Sequence, residues 1–400
     1  MMAGPKAIAA ISRRAMLVGV SAIAAFSLAA CGGGVSIPGL QSQSAPPPQE
    51  APPIGSGQVK VGLILPLTSS GNAAVAAQSM RNAAELALQE FNAPNIQLLV
   101  KDDGGNPAGA QAATQQALDE GAEIILGPLF AQSVVAAGQA AKARNISVIG
   151  FSTDASAASN GVYLLSFLPE SDATRVVEYA VSRGKRSFAA LIPDNAYGNV
   201  VEAAFRQTVA RVGGRVVALE KFPSDRNGMQ EAARRVAQAL PQADALFLPG
   251  DPEVVPVMAQ TLAAAAPDLK RVQLLGTGLW DDQRIYAEPA LQGGWFAAPD
   301  GAGYKSFAKR YRAKFGSDPV RTATLAYDAV SLTAALVKTQ GPQRFSAQTL
   351  TATSGFSGID GVFRFKSNGV NERGLSVVRV TSGGPQTVSP APRAFSGSAS

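Results

Sequence analysis

From Val59 onward the chain alternates short, continuously apolar runs with amphipathic stretches at near-regular intervals, and this alternation restricts the fold more than any other feature. The run VKVGLILPL (59–67) reads as a strand buried on both faces, and Met80, Ala84, Ala87 and Phe91 then recur at helical offsets. IQLLVKDD is the next strand. Asn106 as N-cap, Pro107 at the first helical position and Gly121 just past the end frame a helix, followed by the strands AEIILGP and ISVIGF around a second helix, SVVAAGQAAKARN. After YLLSFLPES the alternation restarts: DATRVVEYAVSRG, SFAALIP, a helix over 196–212, RVVALEKF, a helix over 229–239, ALFLPG, a helix over 254–266, VQLLGT and GGWFAAP. Two consecutive helices, 304–315 and 322–339, and two short strands, GVFRF and LSVVRV, read as a late hairpin, close the pattern. The expectation is an α/β protein of two parallel-sheet units, between which the chain crosses more than once.

Open α/β sheets bind ligands beyond the carboxyl ends of their strands, at helix N-termini. The loops at those positions are LTSSGN, GPLFAQS, FSTDAS, PDNAYGN, PGDPE and GTGLWDD, rich in hydroxyls, carboxylates and glycines. They offer Ser133, Ser152, Thr153, Asp154, Tyr197 and Asp251 as ligand-binding candidates for a small polar molecule. Ser133, Thr153, Asp154 and Asp251 are equally read as helix caps.

Several function classes drop out. The chain has no histidine, which excludes Ser-His-Asp and Cys-His catalysis and removes the commonest transition-metal ligand. One cysteine cannot build a thiolate zinc site, and neither a phosphate loop nor a dinucleotide fingerprint occurs, so no metal or cofactor is expected. Asp102 and Asp103 sit at adjacent strand positions and face opposite ways, so they make no glycosidase acid/base pair; helix capping and lobe contact are their expected work. Half of the net charge of +6 comes from Lys6, Arg13 and Arg14, and the remainder gives no basic face for nucleic acid. A non-enzymatic binding protein is expected.

The first 57 residues read separately. KAIAAISRRAMLVGVSAIAAFSLAAC has a basic start, an apolar stretch over 15–30 and small residues before Cys31, the parts of an export signal and too short an apolar run for a membrane span. LAAC resembles the bacterial lipobox, which makes Cys31 the lipid attachment site and residues 1–30 a cleaved signal peptide. SRRAML resembles a twin-arginine export signal and equally reads as an ordinary basic start. Gly32, in place of the aspartate that commonly retains lipoproteins at the inner membrane, implies outer-membrane sorting. Residues 31–57, rich in Gly, Pro and Ser, read as a tether.

The segments VGLILPLTSSG, VKDDGGNPAGAQAATQQAL, ILGPLFAQSVVAA, IPDNAYGNVVEAAFRQTVARVGGRVV and FSGIDGVFRFKSNG resemble, in order and spacing, the leucine/isoleucine/valine-binding proteins, the type I periplasmic binding proteins of ABC importers. The resemblance covers residues 59–380. It implies a bilobal Venus-flytrap fold with two Rossmann-like parallel-sheet lobes joined by three crossovers, near 168, 298 and 342. Lobe 1 is then 59–168 with 299–341, lobe 2 is 169–298 with 342–382, and 383–400 is a disordered tail. Tyr197 matches the family's cleft tyrosine. The serine that grips a ligand carboxylate falls on Ala131, with Ser133 two residues on; its partner threonine falls on Asp154, the acidic residue that pairs with a ligand ammonium on Gly278, and a first-loop aromatic on Ala74. These departures also suit a second branch of the fold, the outer-membrane lipoproteins that activate penicillin-binding proteins by contact. Two expectations follow: a lipid-anchored amino-acid or small-solute binder partnered with an ABC permease, or a regulator partnered with a penicillin-binding protein.

Overall fold

A computed structural model of the chain describes residues 52–395. Cys31, the signal peptide and most of the tether lie outside the described residues. The first α/β unit runs β1 (Val59–Leu65), α1 (Gly71–Glu90), β2 (Ile96–Asp102), α2 (Pro107–Asp119), β3 (Ile124–Leu126), α3 (Ala131–Lys142), β4 (Ser147–Gly150) and β5 (Val162–Leu164). Its strands form one all-parallel sheet in the order β2-β1-β3-β4-β5. Leu63, Leu65 and Val100 point to one face and join α1; Ile64, Leu99 and Ile125 point to the other and meet α2 and α3, as the two-residue period of a strand requires.

The second unit runs α4 (Pro169–Ser182), β6 (Ser187–Pro193), α5 (Ala196–Arg211), β7 (Arg215–Phe222), α6 (Arg226–Ala239), β8 (Ala245–Phe247), α7 (Val255–Ala265), β9 (Gln273–Gly276), α8 (Gln283–Ala287) and β10 (Trp295–Ala298). The chain then returns through α9 (Gly301–Phe315) and α10 (Ala323–Thr339) to α1, where Leu325, Ala329 and Val330 complete the core under the first sheet. The short helix α11 (Ala347–Leu350) follows, then β11 (Phe356–Gly358), β12 (Gly361–Phe365), β13 (Asn371–Arg373), β14 (Ser376–Thr381) and β15 (Gly384–Ser389). The second sheet has the order β15-β14-β10-β9-β8-β6-β7, parallel except where β14 meets β10 and β15. It is therefore mixed at one edge rather than wholly parallel.

Four details differ from the sequence reading. GVFRF and LSVVRV do not pair with each other: β12 joins an antiparallel three-stranded sheet with β11 and β13, while β14 enters the second sheet. Segment 356–373, assigned above to lobe 2, packs beneath the first sheet, because Phe356, Phe363 and Phe365 interlock with Tyr163 there. Gly384–Ser389, read as tail, is a strand covering the edge of β14. At the end of the expected tether, Ile54 exchanges both backbone hydrogen bonds with Leu98 (3.0 and 2.8 Å), which covers the otherwise open edge of β2.

Where α9, α10 and the loop before β12 meet, Arg321 grips the fully buried Asp360 with both terminal nitrogens (3.0 and 2.5 Å), and Thr324 donates to the same carboxylate at 2.6 Å. The Arg321 guanidinium is stacked over Phe167 and Tyr304, each at 4.6 Å, and Arg373 lies over Phe167 at 4.9 Å. Asp328, buried beside them, accepts from the Ile359 amide at 2.7 Å. Burial pushes its carboxyl up to about 7, against the pull of Arg373.

Candidate functional site

The helices that follow β1, β3, β6 and β8 all begin at the carboxyl ends of their strands, and each sheet thereby presents a row of helix N-termini at that end. In the first sheet most of the loop polar groups are consumed locally. Asp102 Oδ1 accepts from Gly104 N at 2.9 Å and from Thr68 N, Asp103 Oδ1 accepts from Gly105 N at 2.8 Å, and Asn106 caps α2 through Gly109 N. Gly104 and Gly105 both have positive φ, which their lack of Cβ permits. The two aspartates thus build a turn, while Asn106 does the helix capping.

Ser133 is enclosed in α3 and does not cap it; the cap position is Phe130. Its Oγ and the Oδ2 of the fully buried Asp103 have no hydrogen-bond partner among the described residues. Burial, with a smaller push from Asp102, raises the Asp103 carboxyl to about 6, against the Gly105 amide and the nearby Ser133 hydroxyl. After β4, the buried Ser152 accepts from Asp154 N at 3.0 Å, and the exposed Asp154 caps a short 3-10 turn through Ser156 N at 2.9 Å. Thr153 is exposed between them.

The second sheet arranges its groups across long sequence separations. In NAYGN, Asn195 caps α5 through Gly198 N at 2.8 Å, and a Cβ on Gly198 would meet Pro193 O at 1.8 Å. The cap and the glycine fix the helix start, and Tyr197 then reaches Thr277, its hydroxyl 2.7 Å from Thr277 Oγ1. The turn carrying Thr277 and Gly278 is pinned by Trp280, fully buried, whose indole N–H donates to Leu248 O at 3.1 Å. Gly278 N donates to Asp172 Oδ2 at 2.9 Å, and a Cβ on Gly278 would come within 3.0 Å of that oxygen. Asp172, in the first turn of α4, is the residue the sequence reading missed. The glycine found where the family's acidic residue is expected leaves room for a carboxylate arriving from another helix.

These groups form an electrostatic chain. Burial pushes Asp172 up to about 7, and neighbouring Glu170 adds to the shift. Glu170 is itself raised by burial, with Asp154 adding and Lys366 opposing. Burial holds the Tyr197 hydroxyl well above its usual range, and Asp172 and the exposed Asp251 push the same way. Asp154 thus acts on Glu170, and Asp172 and Asp251 act on Tyr197, whereas Ser133 lies near the buried Asp103. The arrangement is acidic and suits hydrogen-bond donors or a cation better than a carboxylate.

Apolar groups fringe the same ends. Among the described residues, the large hydrophobic side chains left exposed are Val75, Phe130, Val135, Val200, Val257 and Leu279. All lie at or within the first two turns of the helical segments that follow β1, β3, β6, β8 and β9.

Residues 58–385 match the family described as periplasmic binding protein, and the chain belongs to that family. A putative branched-chain amino acid ABC transporter protein from Rhodospirillum rubrum superposes with a TM-score of 0.73 at 20% identity, covering 82% of this chain and 99% of that one. A solute binding protein from Rhodopseudomonas palustris, solved with 3,4-dihydroxybenzoic acid, gives a TM-score of 0.60 at 21% identity over 83% and 96%. These likenesses establish the bilobal α/β fold. A penicillin-binding protein activator, LpoA of Pantoea ananatis, is 25% identical over 177 residues, 44% of this chain and 24% of that protein. Leu/Ile/Val-binding protein homolog 6 of Brucella suis is 23% identical over 209 residues, 50% of this chain and 53% of that protein. The chain thus spans between about a quarter and a half of the curated relatives it matches.

Proposed function

We propose that this member of the periplasmic binding protein family is an exported solute-binding protein, lipid-anchored through Cys31, that serves an ABC importer. Its ligand is a small polar solute bearing a cationic group, an amino acid or a relative, taken up in the cleft between the two sheets. The observation that carries this reading is the placement of Asp172 on the Gly278 amide, next to the Tyr197–Thr277 pair, with the Asp172 and Asp251 charges both acting on Tyr197. One oxygen of Asp172 is held by the amide, which leaves the other for a ligand cation. A charge-assisted bond of this kind contributes about 1.5–3 kcal/mol. The altered positions Ala131 and Asp154 argue against a ligand gripped by its carboxylate at the first sheet.

The test is thermal unfolding of the Cys31→Ser protein in the presence of the common amino acids and simple amines. A solute at 100 times its Kd stabilises by about 2.7 kcal/mol. No shift with any of them removes the transport reading.

A second reading is favoured by the apolar fringe and by the relatives named as penicillin-binding protein activators. In it, the same strand-end surfaces dock a cell-wall synthase. It predicts that the protein retains a penicillin-binding protein on an affinity column and accelerates its glycan polymerisation or cross-linking. A synthase that neither binds nor speeds up eliminates it.

A further inference from the structure

The packing divides the described residues into two bodies. β1–β5, α1–α3, α9, α10 and β11–β13 pack among themselves, as do α4–α8, β6–β10, β14 and β15, and no cluster of buried apolar side chains draws strands from both sets. The chain passes between the bodies at 165–168, 299–300 and 374–375. Phe167 lies on the first of these connections, Tyr304 stands in the first turn of α9 after the second, and Arg373 comes just before the third. We propose that Arg373 is a two-position latch on the first connection, exchanging between the carbonyl of Ser166 and the carboxylate of Asp328 as the two bodies turn against each other.

One side of the cluster is complete: Arg321 is paired with Asp360 and stacked on Phe167 and Tyr304. The other side is not. Arg373 gives Nε to Ser166 O at 2.9 Å and lies over Phe167 at 4.9 Å and Phe363 at 5.5 Å, while its Nη1 and Nη2 are buried with no hydrogen-bond partner among the described residues. Asp328 spends Oδ1 on the Ile359 amide, and its Oδ2 is likewise buried and without a partner. These two charges act on each other; the other charges that face Asp328 are Asp360 and Arg321, already paired together. Two N–H groups and a carboxylate oxygen are complementary, and leaving both unmet in a buried setting costs free energy that a direct pair relieves. Leaving Ser166 strands nothing, because Asn371 also donates to that carbonyl, at 3.0 Å. Arg373 can thus be satisfied at either end, but only at Ser166 and Phe167 does it hold residues 165–168 to β13. Its move to α10 frees that connection to turn, which gives the hinge two discrete arrangements. The latch acts on the connection itself, whichever solute or partner the cleft serves.

Pulsed electron paramagnetic resonance tests this without any solute. Spin labels on Gln111→Cys and Gln238→Cys, both exposed and one on each body, report the distance between the bodies in the full chain carrying Cys31→Ser. Two distance components are expected. Asp328→Asn keeps an acceptor for the Ile359 amide and removes the charge that draws Arg373 away, so it should lower the share of the released component at least threefold. Arg373→Met removes the latch and should raise that share at least threefold. Thr324→Val, which takes a donor from Asp360 on the completed side, should lower stability and leave the ratio within twofold. Circular dichroism checks that each variant folds, and Asp328→Asn decides alone if Arg373→Met does not. An unchanged distance distribution in Asp328→Asn overturns the proposal, as does a shift of Asp328→Asn and Arg373→Met in the same direction, which marks a merely structural pair.

Discussion

The ligand ends of the two sheets use polar groups in opposite ways. At the first sheet, Asp102, Asp103, Ser152 and Asp154 bond to amides no more than two residues away, apart from one bond from Asp102 to Thr68 N. At the second, Asp172 reaches Gly278 and Tyr197 reaches Thr277, joining elements far apart in the chain. Local bonds set loop shape; long-range bonds set the mutual placement of helices. The loops of the first sheet are therefore shaped mostly from within, with Asp103 Oδ2 and Ser133 Oγ left unpartnered among the described residues, and the second sheet holds groups whose geometry a ligand can alter.

The most severe break of this contrast is Asp360→Ala. It strips Arg321 of its buried partner on the scaffold side and should cost about 3 kcal/mol or more of stability, read by denaturant unfolding. Solute affinity of the remaining folded protein should be unchanged.

Asp172→Asn tests the other side and should weaken binding of a cationic solute at least tenfold in a direct titration. The same residue gives a pH test. Its carboxyl is raised from 3.8 to about 7, so the folded protein holds a proton that the unfolded chain has released. That contribution is complete below about pH 4 and is lost as pH rises through about 7, with Asp328 and Asp103 acting in the same direction. Stability should fall by a few kcal/mol between pH 4 and pH 8. Asp172→Asn should flatten part of the slope, leaving the protein unchanged near pH 4 and more stable at pH 8; a variant as pH-sensitive as the parent contradicts this assignment.

Tyr197→Phe removes the bond to Thr277 and should cost about 1 kcal/mol in stability, with a several-fold loss of solute affinity. The smallest effect is expected from Asp154→Ala, which removes the cap of a short 3-10 turn. About 0.5–1 kcal/mol of stability should go, with affinity changed twofold or less. A larger affinity loss there than in Asp172→Asn would reverse the assignment of scaffold and recognition.

The repeating architecture was legible because its causes are local. SFAALIP and RVVALEKF are strands over the ranges expected, and Asn106, Pro107 and Gly121 frame α2 as read. The start of α6 lies three residues before the expected one because Asp225 caps it through Gly228 N, a signal present in SDRNG and passed over. The fate of GVFRF was not legible: its pairing depends on Phe363 and Phe365 finding Tyr163, two hundred residues away. Asp172 was hidden for the same reason. An acidic residue in a helix's first turn reads as a complement to the helix dipole, and only the fold brings Gly278 to it. Ser133 failed in the opposite sense: its position in GPLFAQS is strand-adjacent, but α3 begins early enough to turn its hydroxyl inward.

The plugged turn around Trp280 has an optical consequence. The chain has only two tryptophans, Trp280 and Trp295, and both are buried in cores of the second sheet. Intrinsic tryptophan emission therefore reports on one half of the molecule alone. The first half is silent in that channel, while far-ultraviolet dichroism sees both. Overlaying the two unfolding curves shows directly whether the halves come apart together or one after the other.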